Sequence, residues 1–127
     1  MKRKTVSAGR LQGLGLFGFG ILLLVLSTGC QTSPDVKEDA LSRMRLGDSL
    51  LQEGKATQAL KELLRAVELD PENPTIRNLL GIAYLEKGLL PQASEAFKKA
   101  LELDPKYVEV HNNLGTAYLR SGQIQEA

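Results

Sequence analysis

The 127-residue sequence predicts an all-α fold in which helical hairpins stack side by side into a solenoid. The main observation is a period of 34: residues 40–73 align without gaps with residues 74–107, and 12 of the 34 aligned positions are identical. A third copy begins at residue 108 and matches the second at 8 of its 20 positions. Each copy contains apolar residues at helical spacing on both sides of a glycine. A fixed period of this length is typical of a stacked array of helical repeats.

The second copy indicates its helices most clearly. Leu80 and Tyr84 lie on one face at helical spacing, and Gly88 supplies a helix stop. Pro91 suits the first turn of the next helix, and Pro105 follows its end. The buried stripe of that helix is predicted to contain Ala93, Ala96, Phe97, Ala100 and Leu101. By the same reasoning we predict helices at 41–53, 56–69, 75–87, 91–103 and 109–121.

Eight positions recur in register from copy to copy. In the second copy they are Leu80, Gly81, Tyr84, Gly88, Ala93, Phe97, Ala100 and Pro105. This pattern resembles the tetratricopeptide repeat (TPR) family. The resemblance implies a TPR helix-hairpin solenoid with two full repeats, 40–73 and 74–107, and a partial third, 108–127. One position departs from the family pattern, because Arg43, Arg77 and His111 stand where the family often has Trp.

The resemblance also implies a concave groove, lined by the first helix of each repeat, that binds peptide segments of other proteins. The groove positions carried over are Met44, Asp48, Asn78, Ile82, Glu86, Asn112, Thr116 and Arg120, together with Leu41, Leu51, Gln52, Thr75, Leu85, Glu109 and Leu119. Asn78 and Asn112 coincide in register, and an amide side chain can both donate to and accept from a peptide backbone. The alternative is that both are exposed residues near a helix start without a ligand.

Some TPR proteins bind a C-terminal carboxylate through a clamp of Lys, Asn and Arg side chains in this groove. Met44 and Asp48 occupy the positions at which such a clamp should begin. We therefore do not expect specificity for a C-terminal carboxylate.

The first 29 residues have the organisation of a secretory signal. Four basic residues within the first ten positions precede an uncharged, mostly apolar run at 11–26, and small residues follow it. The segment Leu-Ser-Thr-Gly-Cys at 26–30 resembles the lipobox of bacterial lipoproteins, although Ser27 stands where Leu is usual. The resemblance implies that Cys30 becomes the N-terminus and carries covalent diacylglycerol and acyl groups. No other cofactor is predicted.

Two alternatives to lipidation remain open. The segment could be an ordinary cleaved signal followed by an incidental cysteine. It could also be an uncleaved anchor, because about twenty residues suffice to cross a bilayer. The glycines at 13, 15, 18 and 20 argue against the anchor, since glycine is a poor helix former.

Residues 30–39 are predicted to form the lipidated cysteine and a polar tether. Fully extended, the nine residues after Cys30 would reach about 30 Å, which would keep the repeats near the membrane. Gln31, in place of Asp, resembles the outer-membrane sorting choice of Gram-negative lipoproteins. We expect the protein in the cell envelope, at the periplasmic face of the outer membrane if the cell is Gram-negative.

The charge distribution and the search for catalytic residues point away from nucleic acid and from catalysis. All 15 acidic residues but only 12 of the 16 basic ones follow Cys30, so the net charge of that part is about −3. The single histidine, His111, has no partners at metal-ligand spacing, and we predict no metal site. Pairs such as Glu68/Asp70 and Glu102/Asp104 recur at the same repeat positions and are interpreted as architectural. We predict no enzymatic activity.

The third copy stops where its second helix begins. We expect the sequence to be a fragment of a longer array. The alternative is a complete short protein whose open edge, at Leu114, Tyr118 and Ile124, is covered by a partner or by a second copy.

The predicted function is that of a membrane-anchored scaffold for protein–protein interaction. The layout of a lipobox followed by TPRs resembles the pilotin-like type IV pilus biogenesis lipoproteins that assist secretin assembly. The alternatives are an adaptor for cell-wall hydrolases or other envelope complexes, and the N-terminal targeting part of a larger enzyme.

Overall fold

A computed structural model of the protein describes residues 34–122, and within this range it consists of helices joined by short turns. The helices are α1 (Pro34–Gln52), α2 (Ala56–Leu69), α3 (Pro74–Glu86), α4 (Leu90–Leu103) and α5 (Val108–Ser121). This order confirms the all-α hairpin prediction. The signal segment, Cys30 and the start of the tether lie outside the described residues, as do residues 123–127 with Ile124.

Each pair of helices forms an antiparallel hairpin, and the hairpins stack in chain order. The most extensive packing is between α1 and α2 and between α3 and α4, followed by α4 with α5 and α2 with α3. The first helices α1, α3 and α5 also contact one another in succession. They therefore form one layer of the stack, and α2 and α4 form the other.

The core lies between these layers. Its fully buried side chains include Leu63, Ile76, Phe97 and Val110. The predicted stripe of α4 is confirmed, since Ala93, Ala96, Phe97 and Ala100 are buried, while Leu101 is half-buried.

Two glycines allow the helices of each hairpin to approach closely. A Cβ atom on Gly81 would lie 2.4 Å from Cε1 of Phe97, and one on Gly47 would lie 2.6 Å from Cγ of Leu63. Phe97 and Leu63 are both fully buried, so neither side chain can swing into solvent to relieve the overlap. The recurrent Leu-Gly pair is therefore a packing requirement.

Each complete hairpin turns through a glycine in the left-handed conformation. Gly54 has a φ of 73° and Gly88 a φ of 74°, a region that L side chains rarely adopt. The amide of the following residue donates back to the helix, from Lys55 to the Leu50 carbonyl at 2.8 Å and from Leu89 to the Tyr84 carbonyl at 2.9 Å. This pattern is a Schellman motif, which satisfies carbonyls at the helix end.

The start of α1 differs from the sequence prediction. The helix begins at Pro34, whereas we predicted a start near 41, after a polar tether that ends at 39. Proline is well tolerated in the first helical turn. The negative charge of Asp35 in that turn stabilises the helix by its interaction with the positive end of the helix dipole. Farther along, Ala40 is fully buried with Ala66 and Ile76. At about 1.5 Å per helical residue, residues 34–39 span about 9 Å, far less than an extended tether.

The residues at the family's Trp position link consecutive repeats through hydrogen bonds. Arg77 donates through Nε and Nη2 to the Pro71 carbonyl, each at 3.3 Å. His111 Nε2 lies 2.9 Å from the equivalent carbonyl, that of Pro105. Arg43 instead contacts Asp39 and Glu62, each at 3.1 Å. Arg77 and His111 therefore join a helix to the turn before it, whereas Arg43 joins the two helices of its own hairpin; a Trp at these positions would contribute packing.

Candidate binding groove

The predicted groove residues lie on α1, α3 and α5, the three helices of one layer. We call the groove residues of these three helices the row, and their exposure to solvent differs from one residue to the next. Met44, Asp48 and Ile82 are half-buried; Glu86, Asn112, Thr116 and Arg120 are exposed; Asn78 is buried. The exposed members are accessible to solvent, whereas the half-buried members also pack inward.

Asn78 does not have the exposed position that we expected. Its side chain is 2% exposed, and its amide lies between two residues of α5. Asn78 Nδ2 donates to Oε1 of Glu109 at 3.3 Å, and Asn78 Oδ1 accepts from Nδ2 of Asn113 at 3.0 Å. A buried amide must be hydrogen-bonded to avoid a desolvation penalty, and these two bonds meet that need. Asn78 therefore fixes α3 against α5, and a ladder of equivalent, exposed asparagines is not present.

Asn112 has the opposite environment although it occupies the same register. Its side chain is exposed, and within residues 34–122 its amide makes no hydrogen bond. Its backbone carbonyl accepts from the Thr116 hydroxyl at 3.0 Å, a bond within α5. Asn112 is thus the asparagine whose amide is available to a bound peptide.

A second bond crosses between the same helices at their other end. Arg120 Nη1 donates to the Leu85 carbonyl at 3.1 Å. Leu85 lies in the last turn of α3, and its carbonyl also accepts from the Gly88 amide at 3.1 Å, so Arg120 is an additional donor to it. Together with the Asn78 bonds, this contact ties α5 to α3 at both ends of their contact.

Carboxylates outnumber basic groups along this row. Asp48 is half-buried and accepts from Gln52 Nε2 at 3.3 Å, Glu86 is exposed, and Glu109 is held by Asn78. Arg120 is the one basic residue among the predicted groove positions.

Sequence reasoning missed the structural roles of Glu109 and Asn113. Asn113 was not among the groove positions, and Glu109 was predicted only to line the groove. The repeat register contained a signal for these roles. One repeat earlier, Met44 stands at the position of Asn78 and Leu79 at the position of Asn113. A polar pair between the second and third repeats therefore replaces an apolar pair between the first and second.

A different groove lies between α2 and α4 over α3. It has a volume of about 420 Å³, and its apolar lining comprises Leu64, Val67, Leu80, Tyr84 and Ala96. Arg77, Glu95 and Lys99 also line it. Sequence reasoning did not identify this surface, which depends on the spacing between two hairpins.

Tyr118 is better covered than we expected for the open edge. Its side chain is only 8% exposed, and Lys98 Nζ lies 5.6 Å from the centre of its ring. A lysine over an aromatic face contributes a cation–π attraction and covers the ring with its aliphatic stem. Leu114 is half-buried.

Neither a metal cluster nor a membrane span was found in the part of the chain that the structure describes. Over residues 34–122, no three His, Cys, Asp or Glu side chains are grouped closely enough to hold a metal ion. In the same range, each helix is too short or too polar to cross a bilayer.

Comparison with known proteins identifies the repeats. The tetratricopeptide repeat family matches residues 44–108 through one of its sequence profiles and residues 96–127 through another. The chain belongs to the tetratricopeptide repeat family. The TPR solenoid that the sequence predicted is thereby confirmed, and this TPR protein is a protein–protein interaction scaffold.

Solved structures of other TPR proteins superpose on the chain. The second TPR domain of Spaghetti (RPAP3), bound to the HSP90 peptide SRMEEVD, is 27% identical, with a TM-score of 0.68 over 71% of this chain and 83% of that one. The second TPR domain of human RPAP3, in complex with the HSP70 peptide SGPTIEEVD, is 25% identical, with a TM-score of 0.68 over 72% and 76%. A point mutant of MamA is 30% identical, with a TM-score of 0.65 over 88% and 78%. No curated protein sequence matches the chain significantly.

Proposed function

We propose that this TPR protein is a lipid-anchored scaffold of the bacterial envelope that holds an extended segment of another protein in the groove on α1, α3 and α5. The observation that carries the proposal is the succession, in one short chain, of a lipobox-like segment ending at Cys30 and a TPR solenoid beginning at Pro34. The peptide complexes of the two RPAP3 domains support peptide binding by this fold.

We assign membrane anchoring to the lipid on Cys30 because of the free energy gained when its acyl chains enter the bilayer. A single acyl chain gives marginal membrane binding, at about 0.8 kcal/mol per buried CH₂, and two or more chains hold a protein stably. Residues 31–33 would add at most about 10 Å, so the short connection keeps the groove close to the bilayer.

The lone cysteine makes the anchor simple to test. Expressed with its signal in a bacterial host, the full chain should fractionate with membranes, have the mass of a triacylated or diacylated chain beginning at Cys30, and resist thiol alkylation. The Cys30→Ser variant should lose all three properties. A wild-type chain that reacts with thiol reagents and is recovered in the soluble fraction would disprove lipidation.

We further propose that the partner is a component of secretin assembly in type IV pilus biogenesis. The support is the resemblance in layout to pilotin-like TPR lipoproteins. A strain lacking the gene should contain fewer secretin multimers on a non-dissociating gel, with secretin monomer still present. Full restoration by wild type and none by Cys30→Ser would link the anchor to the function. Unchanged multimers in the deletion strain would reject this partner, while leaving the anchored scaffold to be judged by the lipidation test.

A further inference from the structure

We infer that the groove on α1, α3 and α5 selects an extended segment that carries both basic and apolar side chains on the face toward the groove. This inference rests on the proposed function and adds the chemistry of the partner. It would set this protein apart from the two RPAP3 domains, whose bound peptides end in the acidic sequence EEVD.

Each of the three helices contributes a carboxylate to the row. Asp48 comes from α1, Glu86 from α3 and Glu109 from α5. Two of them are held by neutral amides, because Gln52 donates to Asp48 and Asn78 donates to Glu109. An amide orients a carboxylate without cancelling its charge, so the groove remains negative.

The basic side chains of the first helices are directed to other partners. Arg43 pairs with Asp39 and Glu62, and both nitrogens of the Arg77 guanidinium that face the preceding turn bond to the Pro71 carbonyl. Arg120 lies in the row and keeps its charge, because its Nη1 bonds to a neutral carbonyl of α3, so one cation remains there beside three carboxylates.

The remaining cations near the row lie at its edges. Lys87, just beyond α3, donates to the Thr57 hydroxyl at 2.8 Å. Asn113 lies on the side of α5 that contacts the preceding repeat. Arg45 occupies the same repeat position in α1 and is therefore on the outer edge of that helix. Lys37 is in the first turns of α1, before the repeat begins.

Apolar side chains lie on the same three helices as the carboxylates. Met44 and Ile82 are half-buried, and Leu119 is 57% exposed. Side chains two positions apart in an extended segment share a face, so such a segment can place apolar groups on these residues and ammonium or guanidinium groups near the acids from the same face. Charge complementarity of this kind selects between partners, because a peptide carboxylate beside Asp48 or Glu86 would be repelled.

The test uses fluorescent peptides and the full chain purified in mild detergent. Two probes share the same leucines and differ only in charge. In the first, Leu and Lys take turns at every second position with Ser between them, and in the second Glu replaces Lys; SRMEEVD is a third probe. We expect the Lys peptide to bind at least ten-fold more tightly than the other two, and its affinity to fall as salt is raised from 50 to 300 mM, as screening of exposed charges requires.

Two double variants separate recognition by the groove from general charge attraction. Asp48→Asn/Glu86→Gln should weaken binding of the Lys peptide at least ten-fold, with circular dichroism unchanged. The matched control, Glu68→Gln/Glu102→Gln, removes the same charge from exposed residues of α2 and α4 and should leave the affinity within two-fold.

The outcomes distinguish this inference from the proposed function. Equal losses in both double variants would overturn selection by the groove, as would tighter binding of SRMEEVD. If the Glu peptide binds more tightly and Leu119→Ala weakens it, the groove functions but the assigned partner chemistry is wrong. If no peptide of either charge binds, both the inference and the peptide-binding part of the proposed function fail.

Discussion

The first and second repeats place identical residues in different environments. Leu80 in the second repeat is 4% exposed and belongs to the main core cluster, whereas its counterpart Leu46 is 49% exposed. The difference arises because α2 packs against α3, and no described helix precedes α1. Burial in a solenoid is therefore decided by the neighbouring repeat as much as by the residue's own repeat.

The junctions between successive first helices differ in a second way. The residues at the α1–α3 junction include Met44 and Leu79, which pack with the hydrophobic clusters. At the α3–α5 junction the same registers hold Asn78 and Asn113, joined by a hydrogen bond of 3.0 Å. Because Asn78 is buried and depends on this hydrogen bond, the second junction is expected to be the more specifically oriented one.

The largest contrast is expected from truncating the two leucines. Leu80→Ala should lower the free energy of unfolding by about 2–5 kcal/mol, since it leaves a cavity in a packed core. Leu46→Ala should cost about 1 kcal/mol or less, because half of that side chain is already in water. Urea denaturation of both variants measures the difference. Equal losses would mean that another surface covers Leu46 in solution.

The next contrast concerns the glycines that separate paired helices. Gly81→Ala should cost about 1–3 kcal/mol, because the added Cβ overlaps the buried ring of Phe97. Gly115→Ala, at the same repeat position, meets nothing within 4 Å and should stabilise the chain by up to about 1 kcal/mol through helix propensity. Thermal unfolding should therefore shift in opposite directions. A destabilised Gly115→Ala variant would indicate an additional surface packed against that face of α5.

The junction itself can be converted from one type to the other. Asn78→Ala should cost about 1–2 kcal/mol, because it leaves Asn113 and Glu109 without their partner. The combined change Asn78→Met/Asn113→Leu recreates the apolar pair of the first junction and should be close to neutral. Denaturant midpoints of the two variants measure this difference in stability. A double variant no more stable than Asn78→Ala would show that the polar pair cannot be exchanged.

The smallest contrast is between two arginines in the same register. Arg43→Ala and Arg77→Ala should each cost about 0.5–1 kcal/mol, typical of a partly exposed ion pair and of a single hydrogen-bonding interaction. The cost at Arg43 should shrink in 0.5 M salt, since its partners are carboxylates, whereas the cost at Arg77, whose partner is a carbonyl, should persist. Identical salt dependence in the two variants would contradict these assignments.

The sequence predicted the helices and their inward faces well, because both are local properties that periodicity reports. Four of the five helices begin within a residue of the predicted position; α1 is the exception because no repeat precedes residue 40 to set its register. Phe97 and Ala100 were placed correctly in the core on spacing alone.

The candidate groove was predicted less completely. The repeat register treats Asn78 and Asn112 as equivalent. Asn78 is nevertheless buried, and its hydrogen-bond partners, Glu109 and Asn113, lie in the next repeat. Such contacts depend on the identity of side chains on a neighbouring helix, which a single-helix register does not include. The groove between α2 and α4 was missed for the same reason.

The claim that partners bind the α1, α3 and α5 face is tested most directly by photo-crosslinking in living cells. A photoreactive amino acid would replace Leu119, which is 57% exposed on that face, or Leu64, which is 38% exposed in the groove between α2 and α4. We predict discrete adducts with an envelope protein from position 119, lost in the Asp48→Asn/Glu86→Gln variant, and none from position 64. Adducts from position 64 alone would contradict the assignment of the binding face.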